Sequence, residues 1–424
     1  MNRKQLMLLG ISAVAAIPAL AQESKVTPTT GAAYNNAMAQ TDVGERNFEQ
    51  YTADGARFGD FKVFPKLELT EEFTDNVYAV ADDRRSDYLT IVSPSVNIKS
   101  DLPRHEIDLS AVADFTEYAR YSGEDTAHVN VTGQGKLDVS REDWFTLSAT
   151  YDHGYEPRSS PDPSQGKTPT PVDNTSVKLA QVYRPGRLWV TVDGQYQRLD
   201  YGDVYTSTDS VLAYHLRDRD IYSGGVRVAY ELMPGYFAFV ESRANDRIYD
   251  SLSAVGQNRD SHGFEERVGA TFELTGKLRG DIFAGYLVQN FKSPTFSSVT
   301  GAAFGAGLTW NATALTTVTL QAQRTVEDTI DSGASSYVAS MAHLTVAHEL
   351  RRNIVLSLDG GLDVNEYQGD GTLQHVYDGG TKIAYKLNKF AYLGGVYHYY
   401  KRYSTLESEA YSENRLMVTL GLQY

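Results

Sequence analysis

The sequence predicts an all-β protein: a single transmembrane, antiparallel, up-and-down β-barrel of about 18 strands, following a cleaved signal peptide and a short periplasmic leader. Three observations carry this. Apolar residues recur at every second position through much of the chain after residue 61, and successive side chains point to opposite faces of a strand. The connections between these stretches alternate short and long. The chain ends on Leu416-Met417-Val418-Thr419-Leu420-Gly421-Leu422-Gln423-Tyr424, a strand with one apolar face and a terminal aromatic.

Residues 1–21 read as a signal peptide. Arg3 and Lys4 supply its positive start, Leu6 to Ile17 its apolar stretch, and Ala19-Leu20-Ala21 its cleavage site, so the mature chain begins at Gln22. Residues 22–60 are polar and poor in aliphatic side chains, and read as a mobile periplasmic leader, with a lumen plug or partner-binding tail as the alternative. Residues 61–424 form the barrel. Past the signal peptide no apolar run is long enough for a transmembrane helix, so insertion must use strands.

The formal net charge is −15, and loss of Arg3 and Lys4 takes it to −17. An acidic surface argues against nucleic acid as a partner. There are no cysteines, which removes disulfides, thiolate metal sites and cysteine nucleophiles. Tyrosine is abundant, at 29 residues against 16 Phe and 3 Trp. Amphipathic rings suit the two interfaces of a bilayer.

The strand-like stretches follow in order. Ile107, Leu109, Ala111, Ala113 and Phe115 oppose Glu106, Asp108, Ser110, Asp114 and Thr116. Val129, Val131, Leu137 and Val139 oppose Asn130, Thr132, Lys136 and Asp138. Phe145, Leu147, Ala149 and Tyr151 come next, then Leu188, Val190 and Val192 opposite Asp193 and Gln195. Tyr222, Val226, Val228 and Tyr230 oppose Arg219 and Arg227, and the pattern returns at Val268–Leu274 and Ile354–Leu362. In the last strand Leu416, Val418, Leu420, Leu422 and Tyr424 make the lipid face, in the manner of a barrel-closing strand that also serves as the assembly signal. The paired glycines Gly224-Gly225, Gly360-Gly361, Gly379-Gly380 and Gly394-Gly395 read as places where a curved wall bends.

Short turns are expected near Asp101–Arg104, Ser140–Asp143, Arg184–Arg187, Met233–Tyr236, Thr275–Lys277, Asn311–Ala314, Leu350–Asn353 and Leu387–Lys389. Longer polar connections lie between them, from Val80–Ser86 to Ser404–Ser408. Eight short and nine long connections join eighteen strands. Short periplasmic turns and long outer loops are the habit of outer-membrane barrels. The even count then puts both termini in the periplasm. The barrel should close by pairing the last strand with the first, around Leu67–Thr74.

The polar parity supplies candidate lumen-lining residues: Asp108, Asp114, Arg120, Lys136, Asp138, Asp193, Arg219, Arg227, Arg243, Arg267, Arg324, Lys382 and Arg415. Their mixed signs suit hydrated sugar or acidic polysaccharide, or simply the solvated wall of a large barrel. No catalytic, cofactor or metal site emerges. The nine histidines form no i, i+2 pair on one strand face. Asp260-Ser261-His262 has the residue types of a hydrolase triad, but that triad is a spatial arrangement and not a tripeptide. Glu71-Glu72 and Glu265-Glu266 are adjacent and face opposite ways on a strand. An enzyme is not expected.

One stretch carries more than rhythm. Leu67-Glu68-Leu69, Asp75-Asn76-Val77-Tyr78, Ser86-Asp87-Tyr88, Ser93-Pro94-Ser95-Val96, Arg104-His105-Glu106-Ile107-Asp108-Leu109 and Tyr151-Asp152-His153-Gly154-Tyr155-Glu156-Pro157-Arg158 follow one another in an order that resembles a family of outer-membrane β-barrel porins associated with bacterial exopolysaccharide loci, beta-barrel porin 2. Asp75, Asn76, Val77 and Tyr78 are its most specific piece. The resemblance implies a channel assisting exopolysaccharide export across the outer membrane, and it brings no catalytic residues. The expected partners are outer-membrane lipid, the barrel assembly machinery, polysaccharide and periplasmic export components. A general or substrate-selective uptake porin, and a structural or surface-attachment barrel with a plugged lumen, remain as alternatives. The loop Arg158–Asp173, with Pro161, Pro163, Pro169 and Pro171, is either a gate or an irregular outer loop.

Overall fold

The computed structural model describes residues 42–44, 46, 48–162, 166–274, 277–329 and 334–424. The signal peptide and the first part of the leader lie outside the described residues. Eighteen strands make the wall. They are β1 (Phe61–Thr74), β2 (Asp87–Ser100), β3 (Glu106–Tyr118), β4 (Thr126–Asp138), β5 (Asp143–Glu156) and β6 (Thr170–Tyr183). Next come β7 (Leu188–Tyr201), β8 (Arg219–Met233), β9 (Tyr236–Tyr249), β10 (Ser261–Leu274), β11 (Leu278–Phe291) and β12 (Val299–Thr313). The last are β13 (Thr316–Glu327), β14 (Tyr337–Arg351), β15 (Ile354–Tyr367), β16 (Leu373–Lys386), β17 (Ala391–Ser404) and β18 (Tyr411–Gln423). A further three-residue strand, Ala56–Phe58, folds back on the start of β1. Among the described residues no helix is long and apolar enough to cross a membrane.

Each strand pairs antiparallel with its sequence neighbours. The ring closes between β1 and β18, in register from Lys66↔Gln423 to Thr74↔Arg415. Full closure removes the two open edges that an eighteen-stranded sheet would otherwise expose. The sequence-derived turns fall between the strands in the expected alternation. Eight connections of two to five residues stand at one end of the barrel and nine of five to seventeen residues at the other. One ladder is incomplete: β12 and β13 pair only between Gly305↔Gln323 and Thr313↔Thr316, so their halves toward the long loops part company.

The two faces of the wall follow the parity of the sequence. Leu109, Leu147, Val192, Tyr222, Val240, Val268, Tyr286, Leu358, Tyr377, Tyr397 and Val418 are exposed on the outside. In water this belt would be an aggregation surface; in a bilayer it is the lipid face, needing no partner other than acyl chains. Leu416, Leu420, Leu422 and Tyr424 belong to it, and Tyr424 stacks on Phe390. The buried side chains lie inside. One apolar cluster (Val182, Trp189, Ala229, Phe237 and Phe239, with Trp144 and Phe283 against it) lines the wall from β5 to β11.

Candidate functional site

The candidate site is the lumen, and what closes it. The lumen-lining candidates of the sequence split three ways. Most occupy inward positions and are paired with opposite charges on their own strand or on strands one to three away. Arg227 pairs with Asp281 and Glu241, Arg243 with Asp193 and Glu241, and Arg267 with Glu265 and Glu241. Phe239 lies under the Arg227 guanidinium and Phe283 under that of Arg267, at 3.4 and 4.5 Å. Arg415 is held by Glu413 and Glu72. Lys136 stands between Glu106 and Asp138. Asp114 pairs with His128, and Asp108 faces Lys99 in register on β2. Lys382 shares the inward parity of Asp378 on β16. Buried charges persist only when paired in this way.

Two candidates stand elsewhere. Arg120 lies past the end of β3, in the long-loop end of the molecule, where its backbone N–H donates to Asp87. Arg324 faces outward. It shares its parity on β13 with Leu320, which pairs with the 45% exposed Leu344, and its guanidinium donates to Ser340 and Glu366 on the same outer face. A cation survives there because Arg324 is three residues from the long-loop end of β13, where the cost of facing lipid falls, and because Glu366 neutralises it. The inward aromatic cluster went unnamed in the sequence reading. Its signal was available: Trp189, Phe237, Phe239 and Phe283 all sit on the parity opposite the lipid-facing residues of their strands.

At the long-loop end the described start of the connection between β5 and β6, residues 157–162, reaches across the barrel. In a ring of eighteen, β5 and β6 stand nearly opposite β15 to β17. Yet Pro161 O accepts from the Tyr367 hydroxyl at 3.0 Å and from Gln374 Nε2 at 3.0 Å, and Ser160 O from Arg402 Nη1 at 2.6 Å. Asp162 accepts from Tyr367 and from Thr329. The segment therefore crosses the mouth and is fastened to the far wall. On the near side Arg158 is bidentate on Glu124 and lies 5.8 Å from the Tyr78 ring. The connection after β13 comes in beside it. Asp328 pairs with Arg219 and Arg247, and Arg259 donates to the Thr329 carbonyl. Burial alone would raise the Asp328 carboxyl, but the guanidiniums of Arg247 and Arg219 outweigh it and hold the group below the usual carboxylate range. Glu156, Arg217, Tyr201, Tyr249 and Tyr337 complete the polar recess behind the two loops, with Arg217 bidentate on Glu156.

The short-turn end is occupied by the leader. Asp42 accepts from Arg279 and from Asn311 Nδ2, the Val43 N–H donates to Thr317 Oγ1, and Arg46 pairs with Glu349 and donates to Ala314 O. The leader's described residues are thus tied to the inner wall at named points.

The Asp75-Asn76-Val77-Tyr78 tetrapeptide clasps the seam. Asp75 accepts from the Asn414 backbone N–H and side chain, both at 2.7 Å. Asn76 is fully buried; its Nδ2 donates to Val80 O and Ser412 O, and its Oδ1 accepts from Val80 N–H. Tyr78 packs edge-on against Tyr121. The motif binds the first hairpin to β18 just above the β1–β18 ladder.

A closed barrel with an apolar outer belt and a polar interior, crossed at one end by a loop, defines a porin-like channel of the outer membrane. Residues 49–424 match the family model described as "Putative beta-barrel porin 2", and the chain belongs to that family. The comparison with curated proteins finds no match. Among solved structures the chain is similar to the outer membrane protein OpdK of Pseudomonas aeruginosa, at 9% identity and TM-score 0.48, covering 86% of this chain and 99% of that one. It is also similar to OccK3 (OpdO) of the same organism, at 14% identity and TM-score 0.45 over 85% and 96% of the two chains. A mutant of the ferric enterobactin receptor PfeA, again from P. aeruginosa, gives 7% identity and TM-score 0.47 over 88% and 81%. At these scores the likeness is of barrel to barrel and says nothing about cargo.

Proposed function

We propose that the protein is a gated outer-membrane channel for hydrated polar cargo, assisting exopolysaccharide export, with its short turns and both termini in the periplasm and its long loops outside. The observation that carries the gating is the crossing of the mouth by residues 157–162, fastened to β15, β16 and β17. A general porin keeps an open aqueous path, and a latch of this kind would defeat it. Most charges on the lumen wall from β7 to β11 are paired, so a sliding sugar chain would meet hydroxyls, amides and neutral ion pairs there. Passage would be passive, driven by machinery elsewhere, and the final strand would be read by the barrel assembly machinery. Selective uptake through the same gate is the second reading, favoured by the arginine- and tyrosine-lined recess behind the latch.

Conductance in planar bilayers tests the gate. The full mature chain should be nearly silent, and a variant lacking residues 158–168 should conduct. Silence after removal of both that segment and residues 22–60 would overturn the channel reading in favour of a structural barrel. Deletion of the protein from its host, followed by assay of surface polysaccharide, tests the cargo; unchanged export would overturn it.

A further inference from the structure

Inside the wall opposite the arginine cluster, β14 to β17 bring together side chains that no single stretch of sequence places near one another. We infer that the lumen holds a binding site for one divalent transition-metal ion, built from Asp359 on β15, Asp378 on β16 and His398 on β17, with His343 on β14 beside them. One ligand atom from each of Asp359, Asp378 and His398 lies within 4.8 Å of the others. All face inward, since Leu344, Leu358, Tyr377, Tyr397 and Tyr399 carry the exposed outer parity of the same strands. They sit near mid-height of the barrel, each well inside its strand.

The bonding pattern is that of ligands held in readiness. His398 Nε2 is hydrogen-bonded to Asp378 at 3.2 Å, while its Nδ1 stands 3.4 Å from Asp359 Oδ2 without a hydrogen bond. His343 repeats this, with Nε2 on Asp363 at 3.0 Å and Nδ1 3.7 Å from Asp378 Oδ1. In each ring one nitrogen is hydrogen-bonded to a carboxylate and the other is turned toward a second: Asp363 takes the outer, orienting role for His343, while Asp378 turns one oxygen to each imidazole and stands between the two rings. The two longer separations are close to the edge of a tetrahedron with bonds of about 2.0–2.1 Å, roughly 3.3 Å.

Two independent features support the assignment. The first is charge. The inward carboxylates of β7 to β11 are neutralised by arginine, whereas the ion-pair partners of Asp359, Asp363 and Asp378 at contact distance are the two histidines. With the imidazoles neutral, the three carboxylates still outnumber the nearby Lys382 ammonium, which acts on Asp359, and leave a deficit that a dication fills. The second is space. Gly361 lies between His343 and Asp378 in the cross-strand row, and Gly380 between Asp359 and His398. A Cβ at Gly361 would collide with the Asp378 carboxylate and the His343 ring, and one at Gly380 with the His398 ring. These two members of the strand glycine pairs clear the floor over which the ligands meet. Imidazole with carboxylate favours zinc and its neighbours over magnesium or calcium, which prefer all-oxygen shells.

The test is titration calorimetry of the refolded full-length mature barrel with zinc chloride at neutral pH. One saturable site per barrel is expected. It should weaken at least tenfold in Asp378→Asn, a near-isosteric change that leaves the barrel folded, and in His398→Ala, and be unmoved in His262→Ala, an exposed histidine at the start of β10. Acidification should release the metal as protons compete for the imidazoles. Absence of saturable zinc binding, binding unmoved by Asp378→Asn, or magnesium binding as tight as zinc would each overturn the assignment.

Discussion

Arg402 is where the latch can be cut with one change. Its guanidinium is 1% exposed. Nη1 donates to Ser160 O at 2.6 Å and, weakly, to Ser159 O at 3.4 Å; Nε donates to the Glu409 carbonyl, and the group lies 4.8 Å from the Tyr411 ring. Only the Ser160 bond is both short and made to the crossing segment. The Glu409 bond holds the neighbouring β17–β18 connection, which stays beside its own strands whether the mouth is open or closed. Arg402→Ala therefore removes about one charge-assisted bond from the closed state, worth ~1.5–3 kcal/mol. At about 1.4 kcal/mol per decade the open-to-closed ratio should rise roughly 10- to 150-fold. Arg402→Lys, which keeps the charge but not the planar fork, should give a smaller rise.

Single-channel recording of open probability reads this directly. A second readout uses the absence of cysteine from the chain. Ser160→Cys, at a buried position of the latch itself, should react with an external maleimide slowly in the parent and faster by a similar factor with Arg402→Ala. A folded Arg402→Ala barrel whose open probability and labelling rate both stay within about twofold of the parent would refute the reasoning, because Arg402 supplies one of the two charge-assisted ties to the far wall described above, the other being the Asp162 carboxylate on Tyr367.

Three further outcomes are expected. Asn76→Ala leaves Val80 O, Val80 N–H and Ser412 O without their partner, and should lower barrel stability by about 2–4 kcal/mol in urea unfolding from detergent or liposomes; a loss below about 0.5 kcal/mol would deny the clasp. Asp42→Ala strands the buried Arg279 side chain, and removing one partner of a buried pair costs about 3–5 kcal/mol, so the leader should become cleavable by protease in the folded barrel at rates at least tenfold above the parent. The third concerns pH. The folded-state pKa of Asp328 is depressed, so its fastening of the β13–β14 connection is complete above the ordinary carboxylate pKa of about 4 and is lost as pH falls through the lower folded value. Open probability should be flat from neutral pH down to about 4 and rise below it, and Asp328→Asn should abolish that acid limb.

The architecture was legible because its signals are local. Parity within a strand and the length of the next turn each need only ten or fifteen residues, and the amphipathic run Leu416–Tyr424 already implied a partner for the first strand. Arg324 marks the limit of parity reasoning. The rule that a charge avoids lipid weakens within a few residues of a strand end, and only the register with Ser340 and Glu366 shows which rule wins. Partnerships were the other limit. Arg227 and Asp281 are 54 residues apart, and Asp359, Asp378 and His398 come from three strands; nothing in one strand's sequence says which inward charge of the next but one it will meet. Spacing at i and i+2 reports only neighbours on one strand and carries no sign of a cluster that runs across strands.

The Asp75–Tyr78 tetrapeptide lies where two closures of the barrel meet. Asp75 and Asn76 spend their polar atoms on β18, so they act where the chain must recognise its own end. Two residues on, Tyr78 leaves the seam and packs against Tyr121 and beside Arg158, whose guanidinium is bidentate on Glu124 at the near end of the crossing segment. Closure of the ring and closure of the mouth are thus fixed by one turn of chain. A substitution at Tyr78 should loosen the near anchor of the latch without touching the β1–β18 ladder, whereas one at Asn76 should weaken the ladder first and the latch through it. The two functions can therefore be separated within four residues, and the order in which they fail tells which of them the motif serves directly.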